Sequence, residues 1–209
     1  MQKLHKDIFE RCSDFLKEKN TLDKMDAQVV ADIQNDKKEF YQADFFIRKK
    51  VSGFAGTVDL IESTDVKATG VTNMDKGELP SKSYLAIGAV GLSYGYSTSG
   101  SAAPSEIRYC NSEYLNTIPT KIINSEFELK SDDKVILRCR TKKFFSNSYA
   151  DYGVEANDEN AVILPSPKLA SSDKKILPQL KFASDSLAAP SNYHFIEVRI
   201  LGVYVGDRT

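Results

Sequence analysis

The sequence has no tryptophan, only two histidines and only three cysteines, and each scarcity narrows the chemistry open to it. Cys12, Cys110 and Cys139 are odd in number, far apart and in no C-x-x-C pair. That pattern argues against a zinc cage or a redox couple and predicts reduced, half-buried thiols. His5 and His194 lack the close ligand spacing that a histidine metal site needs. His5 is expected on the exposed side of a first helix and His194 at the opening of a final strand. Neither phosphate-cradling glycine motif is present. The acidic pairs Asp132-Asp133 and Asp158-Glu159 read as turn chemistry and do not fit a calcium loop. No catalytic, cofactor or metal site is expected.

An excess of either charge is also missing. Lys and Arg number 28 against 29 Asp and Glu, for a net charge of −1. Any contact with nucleic acid or acidic lipid must therefore rest on a local patch. No run approaches the ~18 apolar residues of a membrane span. The opening Met1-Gln2-Lys3-Leu4-His5-Lys6-Asp7 carries no apolar signal core, so synthesis in the cytoplasm without a signal peptide is the expectation.

What is present suits β structure. Phe (11) and Tyr (10) are abundant, hydrophobic residues make up 41 % and charged residues 27 %. Those proportions fit a folded domain rich in pleated surfaces. Residues 1–39 differ from the rest. Leu4, Ile8, Cys12, Phe15 and Leu16 recur at helical spacing, and Asn20-Thr21 ends that helix. Asp23 is placed to cap a second helix, with Leu22, Met25, Val29 and Ile33 along one stripe. Two such helices cannot enclose a core, so their apolar stripes need the main domain or another chain to dock on. Leu4, Ile8, Phe15, Leu16, Met25, Val29 and Ile33 are accordingly the candidate assembly contacts of a helical N-terminal arm.

From Phe40 the period changes to two, and residues 40–209 read as one β-sandwich domain. Strands are predicted over Ala43–Val51, Thr57–Glu62, Tyr84–Tyr96, Glu106–Cys110, Lys121–Lys130, Lys134–Thr141, Ala161–Leu164, Ile176–Phe182 and Tyr193–Val205. Tyr84, Ala86, Gly88, Val90, Leu92, Tyr94 and Tyr96 alternate with a small-residue face that permits close packing. Lys121–Lys130 and Lys134–Thr141 form a hairpin, with Phe127 and Leu129 opposite Val135, Leu137 and Cys139. Pro165 and Pro167 end one strand, and Pro178 places another at a sheet edge. The last strand is apolar on both faces and reads as central. About eight strands with long crossovers and no helices between them suit an antiparallel two-sheet sandwich or jelly roll.

The sharpest catalytic lure is Gly91-Leu92-Ser93-Tyr94-Gly95, a literal G-x-S-x-G, with Asp173 or Asp185 and then His194 in hydrolase order. Ser93 sits inside a long alternating strand, however, and a Ser/Gly/Pro loop follows where a helix is needed. Glu126 and Glu128 imitate a glycosidase pair, but a solvated strand face accounts for them. The basic residues Arg138, Arg140, Lys142 and Lys143 are the candidate contacts to nucleic acid or lipid, near Phe144-Phe145, and Arg48, Lys49 and Lys50 form a second cluster near Phe45-Phe46.

Three stretches carry a resemblance to a known family. They are Phe45-Phe46-Ile47-Arg48-Lys49 with Thr57-Val58-Asp59-Leu60-Ile61; Gly70-Val71-Thr72-Asn73 leading through Leu79-Pro80 to the strand Tyr84–Tyr96; and the ending from His194 to Val203. Together they resemble the jelly-roll coat proteins of tailless bacteriophages and related virion proteins. The resemblance implies a single eight-stranded roll behind a helical arm, and a capsid subunit that self-assembles, without catalysis, into a virion. Its partners would be copies of itself and other virion proteins. The competing reading is a β-sandwich binding module, such as a fibre or adhesin domain. There Tyr149 and Tyr152, or Tyr94 and Tyr96, would stack on a sugar.

Overall fold

A computed structural model describes residues 2–53, 55–110, 117–145, 161–172, 174–183 and 193–208, with side chains from residue 5 onward. Three helices come first: α1 (Gln2–Lys17), α2 (Lys19–Leu22) and α3 (Ala27–Gln34). Asp26, not Asp23, caps α3, its carboxylate accepting from the Gln28 backbone N–H at 2.8 Å. Asp23 instead closes α2. The strands are β1 (Lys38–Lys50), β2 (Thr57–Asp59), β3 (Tyr84–Ser97), β4 (Glu126–Ser131), β5 (Lys134–Arg140), β6 (Ala161–Ser171), β7 (Ile176–Lys181) and β8 (Tyr193–Asp207). Short helical turns α4 (Thr120–Ile123) and α5 (Lys142–Phe145) flank the β4–β5 hairpin.

The strands form two four-stranded antiparallel sheets, ordered β1-β8-β3-β6 and β2-β7-β4-β5. The pairing is nested: β4 pairs with β5, β3 with β6, β2 with β7 and β1 with β8. Among the described residues only the β4–β5 link is a tight hairpin, turned by Asp132 at φ 48°. Between the sheets lies the main core, where Ile47, Leu92 and Val198 meet Phe127, Leu129 and Leu180. Side chains from alternate positions of facing strands fill this layer, as sheet-on-sheet packing requires. β8 is buried on both faces and lies between β1 and β3, as its doubly apolar sequence predicts.

Four local expectations fail for identifiable reasons. First, strict alternation along β3 breaks at Gly88, where the register shifts against both neighbours. Leu85 and Ile87 before the bulge, and Val90, Leu92 and Tyr94 after it, face the main core, while Tyr84, Ala86 and Ala89 face outward. One extra residue reverses the side-chain parity. Second, β6 continues through Pro165 and Pro167. Ile163 pairs with Ala89 and Lys168 with Ile87, so the intervening residues bulge from the ladder and need no amide donors there.

Third, β7 is interior although it contains Pro178. The Pro178 carbonyl accepts from Leu60 N at 2.9 Å, and the donor it lacks would point to that same side, just past the end of β2. The ladder to β4 therefore loses nothing. Fourth, a bulge between Leu129 and Lys130 turns Val135 outward, 41 % exposed, and buries Ile136. The expected strand at Glu106–Cys110 is extended chain after a 3-10 turn at Pro104–Glu106, with one backbone bond from Cys110 N to Tyr94 O. The expected strand at Lys121 begins only at Glu126, after α4.

Candidate functional site

Three places combine chemistry-bearing residues, and the first is the seat of the N-terminal helices. Ile8, Cys12, Leu16, Met25 and Val29 are buried against Tyr84, Ala86, Ala89, Leu201, Val203 and Val205 on the outer face of the first sheet. Phe15 and Ile33 pack half-buried on the same cluster. Six of the seven candidate assembly contacts are thus taken up by this chain's own sheet. Leu4 lies outside the described side chains. Assembly through these residues would first require the helices to leave the sheet. Burying each large aliphatic side chain is worth about 1.5–3 kcal/mol, so that departure is costly.

Polar contacts pin the helices as well. Arg11 donates to the Leu164 and Pro165 carbonyls (3.0 and 3.1 Å), which the bulge in β6 frees from the ladder. Tyr84 Oη accepts from Asp26 N at 2.8 Å, and Gln42 meets His5 Nδ1 at 2.6 Å. His5, expected to be exposed, is therefore half-buried and partnered.

The second place is the outer face of the second sheet. Glu128 is fully covered, although it stands on a strand face open to water. Three cationic side chains cover it. Lys130 Nζ lies 2.8 Å and Lys181 Nζ 2.9 Å from its Oε1, and Arg138 grips its Oε2. Desolvation pushes its pKa up, but the bonds from Lys130, Lys181 and Arg138 outweigh that and hold it at about 2. A carboxylate so strongly held ionised cannot serve as the acid of a glycosidase pair. Glu126 sits on the same face, 3.6 Å from Arg138 and 3.7 Å from Lys181. Arg140, across from Glu126 in the ladder, is exposed, as are Lys142 and Lys143 on α5. Phe144 and Phe145 turn the other way into the main core.

The third place is the far end of the first sheet, around β1, β8 and the segment from Pro104 to Cys110. Arg48 donates to Glu197 (2.6 Å) and to the Gly70 carbonyl (2.9 Å), its guanidinium lying 5.1 Å from the Phe46 ring and 5.0 Å from the Tyr109 ring. Burial pushes the Tyr109 phenol well above its ordinary range. A side chain at Gly95 would strike Ile107 and the Arg108 carbonyl, so glycine there lets the segment lie on the strand. Lys49 of the same basic cluster pairs with Glu62, and Lys50 donates to the Gly100 carbonyl. These cations are used internally.

Ser93 and His194 do not meet. His194 pairs with Tyr96 across the ladder and shares its inward face, where its Nδ1 lies 2.8 Å from Tyr94 Oη. Ser93 has the opposite parity and faces outward, across from Glu197. Asp173 and Asp185 lie outside the described residues. Of the tyrosines suggested for sugar stacking, Tyr94 is fully buried, and Tyr149 and Tyr152 lie outside the described residues.

Among the described residues no group of three or more His, Cys, Asp or Glu is arranged to hold a metal ion, and no helix is long and apolar enough to cross a membrane. The sequence singled out Arg138 and Arg140 but missed Lys130 and Lys181. The run Glu126-x-Glu128-x-Lys130, with like parity on one strand, was the signal for Lys130. Lys181 joins only through the β4–β7 pairing, which no local pattern announces. Compared with family models, curated proteins and solved structures, the chain matches none.

Proposed function

We propose that this protein is a virion structural subunit, a non-catalytic capsid protein that assembles with copies of itself and with other virion proteins. The observation that carries the reading is the nested strand order, β1-β8-β3-β6 facing β2-β7-β4-β5. We read that order as a jelly roll, an architecture of eight strands in two sheets on which capsid subunits are built. The resemblance of the strand sequences to phage coat proteins supports the same reading. In this proposal the sandwich is the rigid block. The helices seal one sheet, and neighbours meet through loops and sheet edges. The subunit would be made in the host cytoplasm and reside in the virion.

The test is negative-stain electron microscopy of the purified protein over a concentration series, with sedimentation velocity alongside. Ordered closed shells or discrete symmetric oligomers are expected. A strict monomer at every concentration, salt and pH tried overturns the proposal. Specific hits on a glycan array from such a monomer would replace it with a binding module.

A further inference from the structure

We propose that the outer face of the second sheet, centred on β4 and β5, binds the phosphate backbone of nucleic acid. The proposal deepens the virion reading by choosing the face that meets the genome, and for that role it rests on that reading. The binding itself can be tested on the isolated subunit.

Charge complementarity carries it. Lys130, Arg138, Lys181 and Arg140 share this face with Glu126, Glu128 and, at its β2 edge, Asp59, which accepts from Gln179 at 2.6 Å; four cations thus stand against three carboxylates. Lys142 and Lys143 follow directly on exposed positions beyond Arg140. The whole chain carries a net charge of −1, so this local excess is offset by acidic residues elsewhere.

Glu128 organises the patch. Three cations placed this close would repel one another and splay apart. One carboxylate bonded to all three holds them side by side at the surface, and the group still carries an excess of positive charge. Part of the ordering cost of binding is thereby met before any ligand arrives. Arg138 and Arg140 stand two residues apart on β5, about 7 Å along the strand. Lys130 lies on the neighbouring β4 and Lys181 one strand further, on β7. That spread suits a chain of phosphates better than a single anion.

The same face argues for nucleic acid over lipid and against base reading. Phe144 and Phe145 are 1 % and 3 % exposed, so neither can stack on a base or insert among acyl chains. Contact through cations alone is independent of sequence and strongly weakened by salt.

The experiment uses the full chain and a fluorescein-labelled single-stranded DNA oligonucleotide, read by anisotropy across a salt series. A log–log slope of about −2 to −3 is expected, corresponding to three or four phosphates at about 0.7 each. The variant carrying Arg140→Glu, Lys142→Glu and Lys143→Glu should bind at least about tenfold more weakly. A control with the same charge change elsewhere, Lys19→Glu, Lys24→Glu and Lys67→Glu, should stay within about twofold.

Circular dichroism checks that both variants fold. Should the first not fold, Arg140→Gln with Lys142→Gln carries the test, with about threefold weakening expected. The proposal is overturned if the unmodified chain does not bind, or if both triple variants lose affinity equally. Co-sedimentation with phosphatidylserine vesicles in the absence of oligonucleotide binding also overturns it and assigns the face to lipid. Such a failure leaves shell assembly untouched, because microscopy reads that separately.

Discussion

A β-carbon on Gly88 would stand 2.6 Å from the sulfur of Cys12 and 2.9 Å from Cγ2 of Ile8, so α1 lies directly on the backbone of β3. The missing side chain, the reversal of parity along β3, the bulge in β6 and the carbonyls that Arg11 takes from it all occur at this one crossing.

Gly88→Val should therefore lift α1 from the sheet. Overpacking of this kind costs about 1–3 kcal/mol, measurable as a lower urea midpoint. Cys12 gives a second readout. Burial pushes its thiol up to about 11, so it should resist alkylation in the native protein. In the Gly88→Val variant its alkylation, followed by mass spectrometry, should accelerate. Unchanged Cys12 reactivity would show that the helix does not need the glycine.

Leu16 and Val29 are fully buried on the same seat. Leu16→Ala should cost about 2–5 kcal/mol by loss of burial and creation of a cavity. Removing residues 1–36 altogether should be worse than destabilising. It bares the outer apolar face carrying Leu201, Val203 and Val205, and the expected result is aggregation, seen by light scattering. A soluble, monomeric truncated chain would contradict the docking.

Glu128 should contribute to acid sensitivity. Its folded pKa of about 2 lies below its ordinary carboxylate value, so the unfolded chain binds the proton first. Its stabilisation is complete above an unfolded pKa of roughly 4.3 and is lost as the pH falls toward 2. Unfolding free energies measured across that window should fall more steeply for the unmodified chain than for Glu128→Gln. Parallel curves would mean the three cations do not hold the carboxylate.

His194 should act in a neighbouring window. Burial lowers its pKa in the folded state, so protonation favours the unfolded chain. Stability from this group is present above about 6.5 and declines as the pH drops below it, toward the folded value. His194→Gln should flatten that decline. Tyr94→Phe should cost about 1 kcal/mol for the lost hydrogen bond. Titration of the His194 ring by NMR checks the direction: an apparent pKa at or above the ordinary histidine value would refute it.

The elements legible in the sequence were those whose identity is local. The helical period of Ile8, Cys12 and Leu16, the alternation of Tyr84–Tyr96 and the doubly apolar Tyr193–Val205 each named an element, and the last named its central place, the strands themselves running to Ser97 and Asp207. Errors came where one residue changes parity, at Gly88 and near Lys130, since period-two reading has no memory of an insertion. Proline misled twice, because its effect depends on which side of a strand lacks a partner. The basic candidates Arg138 and Arg140 were visible. Their relation to Lys181 and Glu128 was not, since it depends on a strand 53 residues away.

The position of β8 has a consequence for how the chain is made. β8 lies between β1 and β3, and its pairing with β1 joins positions as far apart as Lys38 and Asp207, 169 residues distant. β1 to β7 all leave the ribosome before it does. Until then β1 and β3 have no common neighbour, and the helices have no Leu201, Val203 or Val205 to rest on. The nascent chain must hold the apolar stripe of these helices in waiting until β8 is synthesised, and contacts of such long range close slowly. The helices, made before β8, are thus among the last elements to be secured, because the sheet face they rest on is incomplete until β8 joins β1 and β3.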